Sequence, residues 1–258
     1  MFLMRNYPKF LYALLTLAIV GLVLFASGII HRDSNSDLVS GDAPDFATIT
    51  DVNEKKSRFF EYLTPSVEAE NQRVAQEREK LIAIEKSFQA DKINSSDKDY
   101  ASKIGDKYNS PLPENGVTQK WLEEILLKVN VLPKALVLTQ AANESAWGTS
   151  RFARKGYNFF GLWCFKEGCG FVPKKRNDGA VHEVAKFNNL SRAMYTYMRN
   201  LNRHDAYQEM RAIRKQLRNK MQPISALALS EGLVKYSERG DDYVVELKQM
   251  IRVNKELM

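Results

Sequence analysis

A helix that is apolar around nearly its whole circumference belongs in the middle of a fold, and residues 133–147 read as one. Pro133 opens the segment, at a first helical position where its missing N–H would go unsatisfied anyway. Ala135, Leu136, Val137, Leu138, Ala141 and Ala142 follow, up to Trp147, and Gly148 supplies a stop. Gln140, Asn143 and Glu144 interrupt the apolar surface. The neighbouring segments can wrap this helix. Thr118 is placed to N-cap an amphipathic segment from Trp121 to Val129, and a short helix follows from Ser150 to about Lys155. Leu190 to Met258 is helical again, with Ala193, Tyr197, Leu201, Leu227, Leu233, Val244, Leu247 and Ile251 as its core. Between them, Gly161 to Phe187 combines glycines, a proline, two cysteines and an Asp178-Gly179 turn signal, which predicts a small antiparallel hairpin lobe. The expected class is α+β, mostly α, with a cleft between the helical body and the β lobe.

The N-terminal part has a different character. Residues 10–30 contain no Asp, Glu, Lys, Arg or His, a length that crosses a hydrocarbon core as a helix. Arg5 and Lys9 precede the run and no basic cluster follows it at once, so the expected arrangement is a single-pass inner-membrane anchor with the remainder in the periplasm. A cleaved signal peptide, with Ala26-Ser27-Gly28 as the cleavage site, is the alternative. This divides the chain into a cytoplasmic N-terminus (1–9), a transmembrane helix (10–30), a helical stalk with linkers (31–116) and a catalytic domain (117–258). The stalk carries helical periodicity from Val52 to about Ala90, with Pro65 expected to start a second helix. Asp91 to Gly116 reads as a polar loop.

Charge separates the segments too. Residues 133–258 hold 22 Lys and Arg against 12 Asp and Glu, whereas residues 31–132 hold 14 against 19. The basic C-terminal part points to an anionic partner, and Arg211 to Lys220 is its densest stretch; solvated helix faces are the plainer explanation. Export makes nucleic acid an unsuitable partner and leaves wall polymers and lipid headgroups. Cys164 and Cys169 have a spacing that suits a small disulfide loop, with two free thiols as the alternative. His31, His182 and His204 show no ligand spacing, so neither a metal nor another cofactor is expected.

Glu144 is the residue in which chemistry concentrates. It lies on the last turn of a helix too apolar for the surface, beside Trp147. Burial and the negative end of the helix dipole both disfavour a carboxylate and hold it protonated near neutrality. A general acid that protonates a departing glycosidic oxygen needs that property. A satisfied core glutamate would share the same position.

Asn143-Glu144-Ser145-Ala146-Trp147-Gly148-Thr149-Ser150-Arg151-Phe152-Ala153, followed by Asn158-Phe159-Phe160-Gly161, resembles the Glu-Ser-Gly-Trp-Gly-x-Ser and Asn-Leu-Phe-Gly signatures of glycoside hydrolase family 73. The similarity covers about 140 residues, and nearly the whole chain is similar to one Gram-negative group within that family. The resemblance implies a lysozyme-like catalytic domain that cleaves peptidoglycan glycan strands after N-acetylglucosamine, with Glu144 as the general acid. Ala146 stands where the family has glycine, and Trp163-Cys164 where a lysine is commoner.

The family's Tyr-Ala-Thr-Asp-Pro-x-Tyr segment is matched loosely by Tyr236-Ser237-Glu238-Arg239-Gly240-Asp241-Asp242-Tyr243. This implies Tyr236 as a catalytic tyrosine facing the acid and Tyr243 in support, unless both are core tyrosines. Asn143, Trp147, Asn158, Phe160, Trp163 and Tyr243 are the implied glycan contacts. Where many members carry a second glutamate, Lys174-Lys175-Arg176 stands instead. Glu183, 39 positions after Glu144, is then the candidate base, with Glu167 behind it and an exposed strand glutamate as the other reading. Without a base, the substrate's own acetamido oxygen would attack. A lytic transglycosylase and a non-catalytic wall-binding scaffold are the competing functions.

Overall fold

The structure is a computed structural model that describes residues 42–173 and 181–258. It begins with one long helix, α1 (Val52–Gln89), capped by the Asp51 carboxylate accepting the Glu54 N–H at 2.7 Å. At 38 residues it is about 57 Å long. Pro65 sits inside it rather than starting a second helix. The proline removes one ladder hydrogen bond, and the adjacent turn is held by the Thr64 hydroxyl donating to the Phe60 carbonyl at 2.7 Å. Asp91 to Gly116 is also not all loop. Asn94 and Asp97 form a reciprocal capping box that opens α2 (Ser95–Lys107). The apolar signal of α2 is weak because Ala101, Ile104 and Gly105 are the residues it buries.

Next come α3 (Gln119–Lys128), with Thr118 Oγ1 accepting the Trp121 N–H at 3.2 Å, and α4 (Lys134–Ser145), with Pro133 just ahead of its first turn. Leu136, Val137, Leu138, Gln140, Ala141 and Ala142 of α4 have almost no exposed surface. The helices around it are α1, α6 (Leu190–Arg203) and α9 (Asp241–Val253), with α8 (Ala226–Ser230) beside them. Phe59, Phe60, Leu63 and Val67 from the first half of α1 belong to the same core as α4. Its second half contributes Val74, Leu81 and Ile84 to a second core with α2 and α3. Burying Phe or Leu side chains of this kind stabilises by roughly 1.5–3 kcal/mol each.

Short α5 (Arg151–Gly156) leads into the β lobe, and α7 (Gln208–Asn219) packs against α3 and α8. The lobe is a three-stranded antiparallel sheet rather than a simple hairpin. Strands β1 (Trp163–Cys164) and β2 (Gly170–Phe171) flank a central β3 (Glu183–Ala185), with Trp163 opposite Val184 and Phe171 opposite Val184 on the other side. Cys164 and Cys169 are joined by a disulfide that closes the β1–β2 loop. The Asp178-Gly179 turn lies outside the described residues.

The membrane-spanning helix expected in this architecture requires a correction. Among the described residues no helix is long and apolar enough to cross a membrane. Residues 10–30 lie outside the described residues, so the inner-membrane, periplasm-facing placement that rested on them is withdrawn.

The end of α4 departs from a simple glycine stop. The helix finishes at Ser145, and Ala146 (φ 50°), Trp147 (φ 56°) and Gly148 (φ 77°) are all left-handed. That conformation costs a non-glycine residue about 1–2 kcal/mol, and it accounts for the glycine of the related signature at the place of Ala146. Two outcomes follow from this packing. Ala146→Gly should raise stability in urea unfolding by about 0.5–1 kcal/mol, after allowing for glycine's extra freedom in the unfolded chain; a loss of stability would show that Ala146 carries no strain. Leu63→Ala should cost about 2–5 kcal/mol in the same experiment, whereas a detachable stalk would leave the midpoint unmoved.

Candidate active site

Gln140 and Glu144 are four residues apart, so both side chains project from one face of α4. Gln140 is completely buried and a bare amide there would be costly, yet each end of it is paired. Its Oε1 accepts the Tyr197 hydroxyl from α6 at 2.6 Å, and its Nε2 donates to the Tyr243 hydroxyl oxygen from α9 at 2.9 Å. With its oxygen thus occupied, Tyr243 keeps its own hydroxyl proton to act on Glu144, whose charged form it favours. Burial pushes the Tyr197 and Tyr243 phenols far up, so both stay protonated and act as donors. A chain Tyr197 → Gln140 → Tyr243 → Glu144 therefore runs from the centre of the core to a half-buried carboxyl.

Burial is the largest influence on Glu144 and raises its pKa. The Tyr243 hydrogen bond and the Arg239 charge pull it down, Glu246 pushes it up again, and the net shift is upward. Glu246 is itself paired with Arg239 at 2.6 Å. The open side of the carboxyl is at Gly161, where a built Cβ would meet only Glu144 Oε2, at 3.5 Å, among atoms within 4 Å. Gly161 also has φ +64°, so the Asn-Phe-Phe-Gly turn uses glycine both for its backbone and for the space it leaves.

The other residues singled out by sequence fall into two groups. Trp163 is 56% exposed and stacks on His182 with ring centroids 4.0 Å apart, a flat aromatic platform at the edge of the β lobe. Trp147 is half-buried, edge-on to Phe59 and Phe60, with Lys56 over its ring. Asn143 keeps a buried side-chain nitrogen with no hydrogen-bond partner. These three retain a ring face or a donor to offer.

The second group is occupied internally. Asn158 donates to the Leu162 and Ala185 carbonyls and accepts the Leu162 N–H, which ties the turn to β3 and leaves no polar atom to spare. Phe160 is buried and stacks on Tyr197 at 3.9 Å, while its carbonyl accepts the Tyr236 hydroxyl at 3.0 Å. Tyr236 thus faces Phe160 and stacks on Tyr243, and its hydroxyl is bonded to the Phe160 carbonyl and not to Glu144. Glu183 is not an exposed strand residue. It is buried, and its two oxygens accept the Gly168 and Gly170 N–H groups at 3.0 and 2.7 Å, pinning the disulfide loop. Cys164, Cys169 and Glu183 also form a cluster of metal-ligating types, but the sulfurs are bonded to each other and the carboxylate to the loop, so the donor set does not suit a metal. Gln140 and Tyr197 were not singled out as site residues by sequence. The signal that could have found Gln140 is an amide one turn before the acid in an otherwise apolar helix.

Comparison with known proteins places the chain in a family. A family model described as glucosaminidase, mannosyl-glycoprotein endo-beta-N-acetylglucosaminidase, matches residues 119–256, the span from α3 to the C-terminal turn. Protein bax of Escherichia coli (strain K12) is 30% identical over 225 residues, which cover 87% of this chain and 79% of that protein. It belongs to the Gram-negative group whose likeness extends over nearly the whole sequence. No solved structure matches the chain. With the motif around Glu144 inside the matched span, the chain belongs to the glucosaminidase family and is a glycoside hydrolase.

Proposed function

We propose that this hydrolase cuts the β-1,4 bond following N-acetylglucosamine in peptidoglycan glycan strands, with Glu144 as its general acid. The observation that carries the reading is a single carboxyl whose pKa burial raises, set beside the Tyr243 phenol and open at Gly161. Glu144 gives its proton to the departing sugar oxygen as the C1–O bond breaks. The carboxylate left behind keeps the Tyr243 hydrogen bond, which stabilises the charge that develops on it.

The positive charge growing at C1 needs a nucleophile. Glu183 has both oxygens on the loop backbone and Glu246 is paired with Arg239, so neither presents a free carboxylate. The acetamido carbonyl oxygen of the substrate then attacks C1 and forms a cyclic oxazolinium. A water molecule opens that ring and returns a proton to Glu144, restoring the acid. Trp163 on His182 offers a face for sugar stacking.

The test is digestion of purified peptidoglycan with product mass analysis. The wild-type chain should release reducing N-acetylglucosamine ends. Glu144→Gln should fold normally and lose about 10²–10⁴-fold in rate. Retained activity would place the acid elsewhere, and anhydro-muramyl ends would make the enzyme a transglycosylase, a reaction that a lone glutamate also supports.

A further inference from the structure

A pocket of about 240 Å³ lies away from Glu144, between the later turns of α1, the end of α3 and the last turns of α7. Asn130 in its wall stands just before α4, whereas Glu144 is at the far end of that helix, a separation of about 18 Å along the axis. The dense basic stretch of the sequence, Arg211 to Lys220, forms one side of it.

The charges here are unusual for the absence of ion pairing. Arg214 is completely buried, and its guanidinium donates to the carbonyls of Leu127, Lys128, Asn130 and Val131 and to Asn202 Oδ1. Arg78 donates to the carbonyls of Leu126 and Val129, and Arg218 to Asn130 Oδ1. Among the described residues Arg78, Arg214, Lys215 and Arg218 form no salt bridge. The carbonyls at the end of α3 bring roughly half a negative charge, which offsets a fraction of one guanidinium. Glu85 and Glu123 also line the pocket, and Glu85 acts on Arg78. Three cations, Arg78, Lys215 and Arg218, line the pocket against these two carboxylates, and Arg214 lies buried behind them, so the balance remains positive.

We propose that this pocket binds a singly charged carboxylate borne on a small aliphatic group, the chemistry of the C-terminal end of a short peptide. Three features select that ligand. Arg78 has one guanidinium nitrogen fixed on two carbonyls, so its remaining N–H groups are held in a set direction, and a planar fork of this kind matches a carboxylate. Leu126 and Leu127 give the aliphatic part an apolar wall. Glu85 and Glu123 repel a second negative charge and so disfavour a dianion such as phosphate. The volume, below that of pockets for whole drug-sized molecules, suits a terminal group. The site shares no residue with the Glu144 cluster, so its occupancy does not depend on the catalytic reading.

Calorimetric titration of the full chain with N-acetyl-alanyl-alanine, its C-terminal amide and inorganic phosphate tests the assignment. The acid should bind saturably with a Kd on the order of 1 mM, and the amide at least about tenfold more weakly. Lys215→Glu changes an exposed side chain, so it should leave the melting temperature and glycan hydrolysis intact while weakening the acid about tenfold. Arg78→Ala should remove binding. Absence of saturable binding, equal binding of the amide, preference for phosphate, or indifference to Lys215→Glu would each overturn the proposal.

Discussion

Gln140 is an amide in the driest part of the molecule, and three helices meet in the way they do because it has to be satisfied. Its oxygen requires the Tyr197 hydroxyl and its nitrogen the Tyr243 oxygen, which sets α6 and α9 against α4 at fixed positions. A buried polar network that is half-paired would be worse than none, so the arrangement is strongly specified. The same bonds decide which way the Tyr243 proton points. Core packing and the placing of Tyr243 beside Glu144 are therefore carried by one set of contacts, and α1 completes them by covering the remaining side of α4 with Phe59, Phe60 and Leu63.

Division of labour around Glu144 follows from which polar groups are already engaged. Asn158, Glu183 and the Tyr236 hydroxyl hold the Asn-Phe-Phe-Gly turn and the β lobe in place. They act on the acid through position: the turn they fix is the one that sets Gly161 against Glu144 Oε2. Two opposing influences then act on one carboxyl. Burial favours the protonated form, which the proposed acid role would need before bond cleavage, and Tyr243 favours the anion that role would leave after it. Burial outweighs the phenol in the resting state, yet the phenol lowers the cost of giving up the proton.

Much of this was legible in the chain because it rests on local patterns. The apolar circumference of residues 133–145 placed α4 at the centre, Thr118 marked the start of α3, and the acid stood out as a charge on a buried helix end. What was not legible depends on tertiary partners. Helix α2 is nearly all polar and shows itself mainly through its Asn94–Asp97 capping box. Pro65 reads as a helix start, but packing of Phe59, Phe60, Leu63 and Val67 on both sides of it keeps α1 continuous. Tyr236 and Tyr243 are similar in sequence context, and only the Phe160 carbonyl on one side and Gln140 on the other tell them apart. Glu183 reads as a candidate base in the sequence because nothing local reveals two backbone N–H groups returning from the disulfide loop to its carboxylate.

The central claim is that Glu144 is a protonated acid braced by Tyr243, and direct titration of its side-chain carboxyl by carbon NMR tests it most closely. The account predicts a pKa above the ordinary glutamate range in the wild-type chain and a further rise in Tyr243→Phe, because that change removes a donor that favours the anion. A value at or below the ordinary range, or a fall in Tyr243→Phe, would contradict it.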